Sequence, residues 1–115
     1  MGTSGPPTRP PSRLPWPSSM AVDRELRERV RASLEEFAAA VPGRSVEIRI
    51  PPYAAIQAVP GTTHRRGTPP AVVETDADTW FALVDGSLTW ADAVASGAVR
   101  ASGERSDLGG YLPLP

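Results

Sequence analysis

The 115-residue chain carries thirteen acidic and twelve basic side chains, a formal net charge of −1, and no cysteine. This near-neutral balance disfavours nucleic-acid binding, which needs a broad basic surface. The lack of cysteine excludes disulfides, thiol nucleophiles and thiolate metal sites within the chain. No stretch is long and apolar enough to cross a membrane, and the N-terminus lacks the pattern of a secretory signal, so we expect one cytoplasmic domain.

The N-terminal segment is rich in proline. Residues 1–19 hold six prolines among glycine, serine and threonine. Such a segment cannot bury enough apolar surface to offset the entropy of ordering, so we predict a disordered tail over 1–19 and a folded domain over 20–115. The tail is interpreted as a spacer, or as residues ahead of a native start at Met20. The alternative is a polyproline II ligand anchored by Trp16.

A first helix is predicted from Val22 onward, because apolar residues recur at every third or fourth position. Its other face is charged, with Glu25 four residues before Arg29, in the order that favours an ion pair. Pro42 and Gly43 end the helix. The apolar stripe consists of Val22, Leu26, Val30, Leu34, Phe37 and Val41.

Three strands are predicted next. Residues 46–50 alternate apolar and polar side chains, which indicates a strand with one buried face, and the prolines at 51–52 end it. Residues 53–59 are apolar on both faces apart from one glutamine, which favours an interior position in the sheet or a strand that backs onto something other than water. After a loop over 60–70 that is rich in glycine and proline, residues 71–74 form the third strand.

Two short helices follow, each announced by a threonine with an aspartate three residues later: Thr75 with Asp78, and Thr89 with Asp92. A threonine hydroxyl at such a position can accept a hydrogen bond from a free backbone N–H at the helix start. A glycine in a left-handed conformation is expected to close each helix. These glycines are Gly86 and Gly97.

The C-terminal end completes an α+β pattern. Residues 99–102 alternate as a last strand, and residues 107–112 can make one helical turn. Bulky apolar side chains concentrate in this third of the chain, where they form either core or the lining of a ligand pocket, since both use the same residue types. They are Trp80, Phe81, Leu83, Trp90, Val94, Leu108, Tyr111, Leu112 and Leu114.

Catalytic and metal-binding patterns are missing from the sequence. His64 is the one side chain that titrates naturally near neutrality, but it has no acids at metal-ligand spacing. There is no G-x-S-x-G motif and no glycine-rich phosphate loop. We therefore expect no enzyme, no metal and no cofactor. We interpret His64, Arg65 and Arg66 as exposed residues, with weak anion recognition as the alternative.

The stretch from Val73 to Leu114, VETDADTWFALVDGSLTWADAVASGAVRASGERSDLGGYLPL, resembles the C-terminal half of sterol carrier protein-like domains. The shared pattern is a helix that starts at an acid, a glycine, a second helix, a second glycine, a strand with a glycine, and an aspartate-leucine turn. Upstream, SVEIRIPPYAAIQAV and HRRGTPPAVVETD are similar to the compact bacterial subgroup that is typical of actinobacteria. The pattern falls on Asp76, Trp80, Gly86, Trp90, Gly97, Gly103, Asp107 and Leu108.

This resemblance implies a mostly antiparallel sheet of about four to five strands covered by the N-terminal helix and two short helices. It also implies an apolar tunnel, which in relatives holds sterols, fatty acids or acyl-CoA esters. The function implied is noncatalytic binding of an apolar or amphipathic small molecule. The alternative is an accessory protein-interaction domain, related to the C-terminal module of mycothiol-dependent maleylpyruvate isomerase-like enzymes. The candidate lining is Trp80, Leu83, Trp90, Val94, Leu108 and Leu112.

Overall fold

A computed structural model describes residues 15–61, 71–103 and 106–115 of the chain. In this part of the chain, three helices and four strands form an α+β fold, as the sequence predicts. The helices are α1 (Pro15–Ala40), α2 (Ala77–Asp85) and α3 (Trp90–Ser96), and the strands are β1 (Val46–Ile50), β2 (Ala54–Ala58), β3 (Ala71–Thr75) and β4 (Val99–Ser102).

Helix α1 begins at Pro15, upstream of the predicted start at Val22. Residues 15–19, which the sequence assigns to the tail, are helical, whereas residues 1–14 lie outside the described part, so the boundary between tail and domain stays a prediction. Proline fits the first turn of a helix because the N–H that it lacks would have no helical partner there. The predicted apolar stripe is buried from Val30 onward, but Val22 is 59% exposed, so α1 extends past the core at its N-terminal end.

The four strands form one sheet in the order β2-β1-β3-β4. Strand β1 pairs with β2 antiparallel and with β3 parallel, and β3 pairs with β4 antiparallel. Two of these three pairings are antiparallel, which confirms the predicted sheet type for the described residues. Of the two predicted settings of the second strand, the interior position was wrong, because β2 lies at one edge of the described sheet. Its alternate residues Ala55 and Gln57 are exposed, while the other face of β2 lies against α1.

The core lies between one face of the sheet and the helices. Pairing aligns Ile48 of β1 with Ile56 of β2 and Val73 of β3, so apolar side chains fill one continuous row on this face. The opposite face carries exposed ion pairs, Glu47 with Arg49 at 3.0 Å and Glu74 with Arg100 at 3.4 Å. The sheet therefore packs on one side and presents charged groups to solvent on the other.

The start of α2 differs from its prediction by one residue. Asp76, and not Thr75, caps the helix, because its carboxylate accepts a 2.8 Å hydrogen bond from the Thr79 N–H. Thr75 ends β3 instead, with its side chain turned to the core, where the hydroxyl donates to the Ala98 carbonyl at 2.7 Å. A buried hydroxyl must find such a partner, and this bond ties the end of β3 to the chain that leads into β4.

The other predicted helix ends are confirmed. The Thr89 hydroxyl caps α3 by accepting from the Asp92 N–H at 3.1 Å. Gly86 and Gly97 close α2 and α3 with φ values of 87° and 83°, in the left-handed region that favours glycine. In place of the predicted helical turn over 107–112, the chain makes a single bonded turn from Leu108 to Tyr111.

Candidate functional site

Trp80, a predicted lining residue, lies inside the core and is completely buried. Its ring meets Phe37 of α1 edge to face, with 5.4 Å between centroids and 78° between planes. The indole N–H donates to the Ser33 hydroxyl at 2.9 Å, so the polar end of the side chain is satisfied as well. Aromatic pairs in this arrangement contribute about 0.5–1.5 kcal/mol beyond their buried area, which fixes α2 against α1.

The six predicted lining residues differ in exposure. The structure packs five of them into or against the same core, while the sixth is 43% exposed. The buried members belong to the core, and the partly buried members pack against it. In the order buried, partly buried and exposed, they are Trp80, Leu83 and Leu108; Trp90 and Leu112; and Val94.

The C-terminal segment, residues 106–115, packs along the turn that joins α2 to α3. The Leu114 N–H donates to the Val84 carbonyl at 3.1 Å. On the other side of this turn, the indole of Trp90 lies against the backbone of Gly109, where a Cβ would come within 3.2 Å of the ring. Glycine at this position therefore allows the ring and the segment to approach closely.

Six partly buried apolar side chains occur where α2, the start of α3 and the C-terminal segment meet. We call this group the C-terminal apolar surface. Four of its members were not predicted as lining, although Phe81 and Val84 stand three positions apart on α2, a helical spacing that marks one face, and Leu88 follows in the turn after the helix. The surface consists of Phe81, Val84, Leu88, Trp90, Leu112 and Leu114.

One arginine lies at the edge of this surface. The guanidinium of Arg29, on α1, lies 4.6 Å from the centroid of the Phe81 ring, a cation–π contact that contributes about 0.5–1 kcal/mol at exposed sites. The predicted pair of Glu25 with Arg29 is not formed. Within the described residues, the ion pair on α1 joins Glu28 to Arg31 at 2.8 Å.

Comparison with known families decides what kind of domain this is. A family model described as bacterial SCP ortholog matches residues 23–114. The chain belongs to this family of sterol carrier protein-like domains. No curated protein matches the chain. The matched range includes the buried part of α1, the sheet and the whole C-terminal apolar surface.

Three grooves are lined by described residues, and all three lie away from the predicted site. They have volumes of about 320, 490 and 310 Å³ and lie on the outer face and at one end of the sheet, where Pro51, Glu74 and Arg100 recur. Not one of the predicted lining residues borders them. The tunnel beneath the indoles thus stays a prediction, and the structure shows a packed core under an open apolar surface there.

One described carboxyl group, that of Asp85, has a shifted pKa because of its neighbours. Hydrogen bonding by Ser87 lowers the pKa of Asp85 from its ordinary value of 3.8, and the Ser87 N–H donates to the carboxylate at 2.8 Å. Over 15–61, 71–103 and 106–115, acids and histidines form no group of three that could hold a metal ion. His64, Arg65 and Arg66 lie outside the described residues, so the anion site stays a prediction. None of the described helices is long and apolar enough to span a membrane.

Proposed function

We propose that this SCP ortholog is a noncatalytic module that binds an apolar or amphipathic small molecule of the lipid class on its C-terminal apolar surface. The observation that carries the proposal is that six partly buried apolar side chains pack against one region of the buried core. Scattered exposed apolar residues are ordinary on proteins, whereas apolar side chains gathered in one region are a feature of binding surfaces. Membership of a sterol carrier protein-like family supports a lipid as the occupant.

The hydrophobic effect would supply the binding free energy. Trp90 and Leu112 keep part of their surface in water, and an alkyl chain laid over them would remove it. Each methylene that becomes buried contributes up to about 0.8 kcal/mol, or roughly a fourfold change in affinity. The side chains of Leu83 and Leu108 are already packed in the core, so the core gives the alkyl chain of the ligand a rigid base.

Structural roles of the described acids support a noncatalytic module. Asp76 caps α2, and Asp107 accepts a 2.8 Å hydrogen bond from the Gly109 N–H. Glu47 and Glu74 pair with arginines on the outer face of the sheet. A general acid or base needs a carboxyl group that is free to exchange a proton with a ligand.

An NMR titration with straight-chain alcohols of increasing length tests this proposal. Amide signals of residues 84–90 and 108–114 should shift, those on the outer face of the sheet should not, and affinity should rise with chain length. Leu112→Asp should weaken binding about tenfold or more, since it places a charge in the apolar contact. The control is Val22→Asp, which alters an exposed apolar residue on α1. Flat titrations across the series would rule the proposal out.

A second candidate is an accessory domain that docks on another protein. The filled core favours it: Trp80, Leu83 and Leu108 are 0%, 1% and 0% exposed, so a partner could cover the surface without any internal cavity. Native mass spectrometry of the protein purified from its host separates the two. A co-purifying small molecule supports the lipid module, whereas a stoichiometric polypeptide without a small molecule supports the docking domain.

A further inference from the structure

Arg29, an exposed residue of α1, lies at one end of the C-terminal apolar surface. Its guanidinium lies over the ring of Phe81, 4.6 Å from the centroid. Phe81 and Val84 are three residues apart on α2, so their side chains are neighbours on one helix face. The Leu114 N–H bonds to the Val84 carbonyl, which places the C-terminal segment and its apolar side chains beside the end of α2. A positive charge thus stands at the start of an apolar path.

This charge has no carboxylate partner among the described residues. The ion pairs found there join Glu28 to Arg31 and two further pairs on the sheet, and none involves Arg29. Two acids of α2, Asp78 and Asp85, stand three before and four after Phe81. Neither carboxylate comes within the 4.0 Å of Arg29 that would make an ion pair.

We propose that Arg29 binds the head group of the ligand, so that the surface prefers an anionic single-chain amphiphile, a carboxylate or an alkyl phosphate, over a neutral one of equal length. The inference rests on the proposed function, because the alkyl chain would lie on the C-terminal apolar surface. Arginine suits this role, since its planar guanidinium can stack on an aromatic ring and still donate hydrogen bonds to an oxyanion. Phe81 holds the guanidinium in place and lowers the entropy that binding would cost.

The test compares decanoate, decyl phosphate and decanol on the full chain, below their aggregation concentrations. The wild type should bind both anions more tightly than decanol. Arg29→Gln should weaken the anions about three- to fivefold and leave decanol nearly unchanged. Arg29→Lys keeps the charge but loses the planar group that stacks on Phe81, so it should retain only part of the preference. Arg27→Gln removes another exposed guanidinium of α1 and should change nothing. Acetate and inorganic phosphate, which lack the chain, should not bind.

Each outcome decides between the two proposals. Equal binding of decanoate and decanol by the wild type overturns the role of Arg29 and leaves the apolar surface standing. Equal weakening of all three ligands by Arg29→Gln shows that the residue only supports Phe81, which also overturns the inference. Failure of every ligand to bind overturns the proposed function, and the role of Arg29 with it. Loss of the anion preference at high salt supports an exposed charge contact.

Discussion

The indole N–H of Trp80 donates a 2.9 Å hydrogen bond to the hydroxyl of Ser33, and this bond joins α2 to α1 across 47 positions of sequence. The ring is fully buried and meets Phe37 on the same helix edge to face. A buried indole that lacked this acceptor would lose the hydrogen bond that it makes to water in the unfolded chain. Ser33 therefore makes it possible to bury a tryptophan in this core.

Removing the Ser33 hydroxyl should destabilise the domain through Trp80. We expect Ser33→Ala to cost about 1–3 kcal/mol in the free energy of unfolding, because the indole N–H is left without an acceptor. Urea unfolding followed by circular dichroism measures this loss. In a Trp80→Phe background, the same Ser33 change should cost little, since the donor is already gone. An equal cost in both backgrounds would show that the hydrogen bond contributes nothing.

A methyl group at Gly43 should be poorly tolerated. Gly43 has a φ of 148°, and a Cβ built on it collides with the Val59 carbonyl. That carbonyl cannot easily move, because the Ser45 hydroxyl donates to it at 2.8 Å. We expect Gly43→Ala to cost at least about 2 kcal/mol in thermal or urea unfolding.

Gly97→Ala is the matched control for this collision. Gly97 has a φ of 83° but open space around its Cβ position, so alanine there should cost only the left-handed strain of about 1–2 kcal/mol. Equal losses at both glycines would mean that strain alone, and not the contact with Val59, determines the cost at Gly43.

Much of the fold could be predicted from the sequence because it depends on local periodicity. The stripe from Val30 onward and the alternation over 46–50 each reflect one buried face of one element. Features that depend on neighbours were not predictable. Thr75 satisfies the rules for a helix cap and for a strand, and only the length of β3 decides between them. The edge position of β2 depends on how α1 covers its small side chains.

The candidate site, like the fold, could be predicted from the sequence only in part. Its location in the C-terminal third could be predicted, since bulky residues concentrate there. Which of them face inward could not, because Trp80 and Trp90 each follow a threonine near a helix start, and their burial depends on what packs on them. Arg29 was also misassigned, because the order of Glu25 and Arg29 predicts an ion pair, whereas Phe81 is brought to the guanidinium by tertiary structure.

Substitutions at the start of α2 test whether Asp76, and not Thr75, caps this helix. Asp76→Ala should cost about 1 kcal/mol, since it removes the acceptor of the Thr79 N–H. Asp78→Ala removes a neighbouring carboxylate that is not the cap, and it should lower the free energy of unfolding by only about 0.3 kcal/mol. Thermal unfolding at neutral pH measures both. A larger loss at Asp78 than at Asp76 would contradict the capping geometry.

The turn after α2 should make stability depend on pH. The pKa of Asp85 is lowered in the folded state by hydrogen bonding from Ser87, whose backbone N–H donates to the carboxylate at 2.8 Å. A lowered pKa stabilises the fold above the ordinary value of 3.8, and this contribution is lost as the pH falls through the pKa of the folded state. The stability gap between wild type and Asp85→Ala should thus be present at neutral pH and close at strongly acidic pH. Urea midpoints across this range test it, and a gap that stays constant would contradict it.

Two double-mutant cycles can decide whether Arg29 interacts with Phe81 or with Glu25. The cation–π distance of 4.6 Å predicts a coupling free energy of about 0.5–1 kcal/mol between Arg29→Met and Phe81→Leu. The cycle of Arg29→Met with Glu25→Ala should give a coupling near zero, because the pair is absent from the ion pairs of α1 in the described chain. Urea unfolding of the single and double variants supplies both numbers. If Glu25 couples more strongly than Phe81, the guanidinium is paired with a carboxylate in solution, and its charge is no longer free to bind an anionic head group.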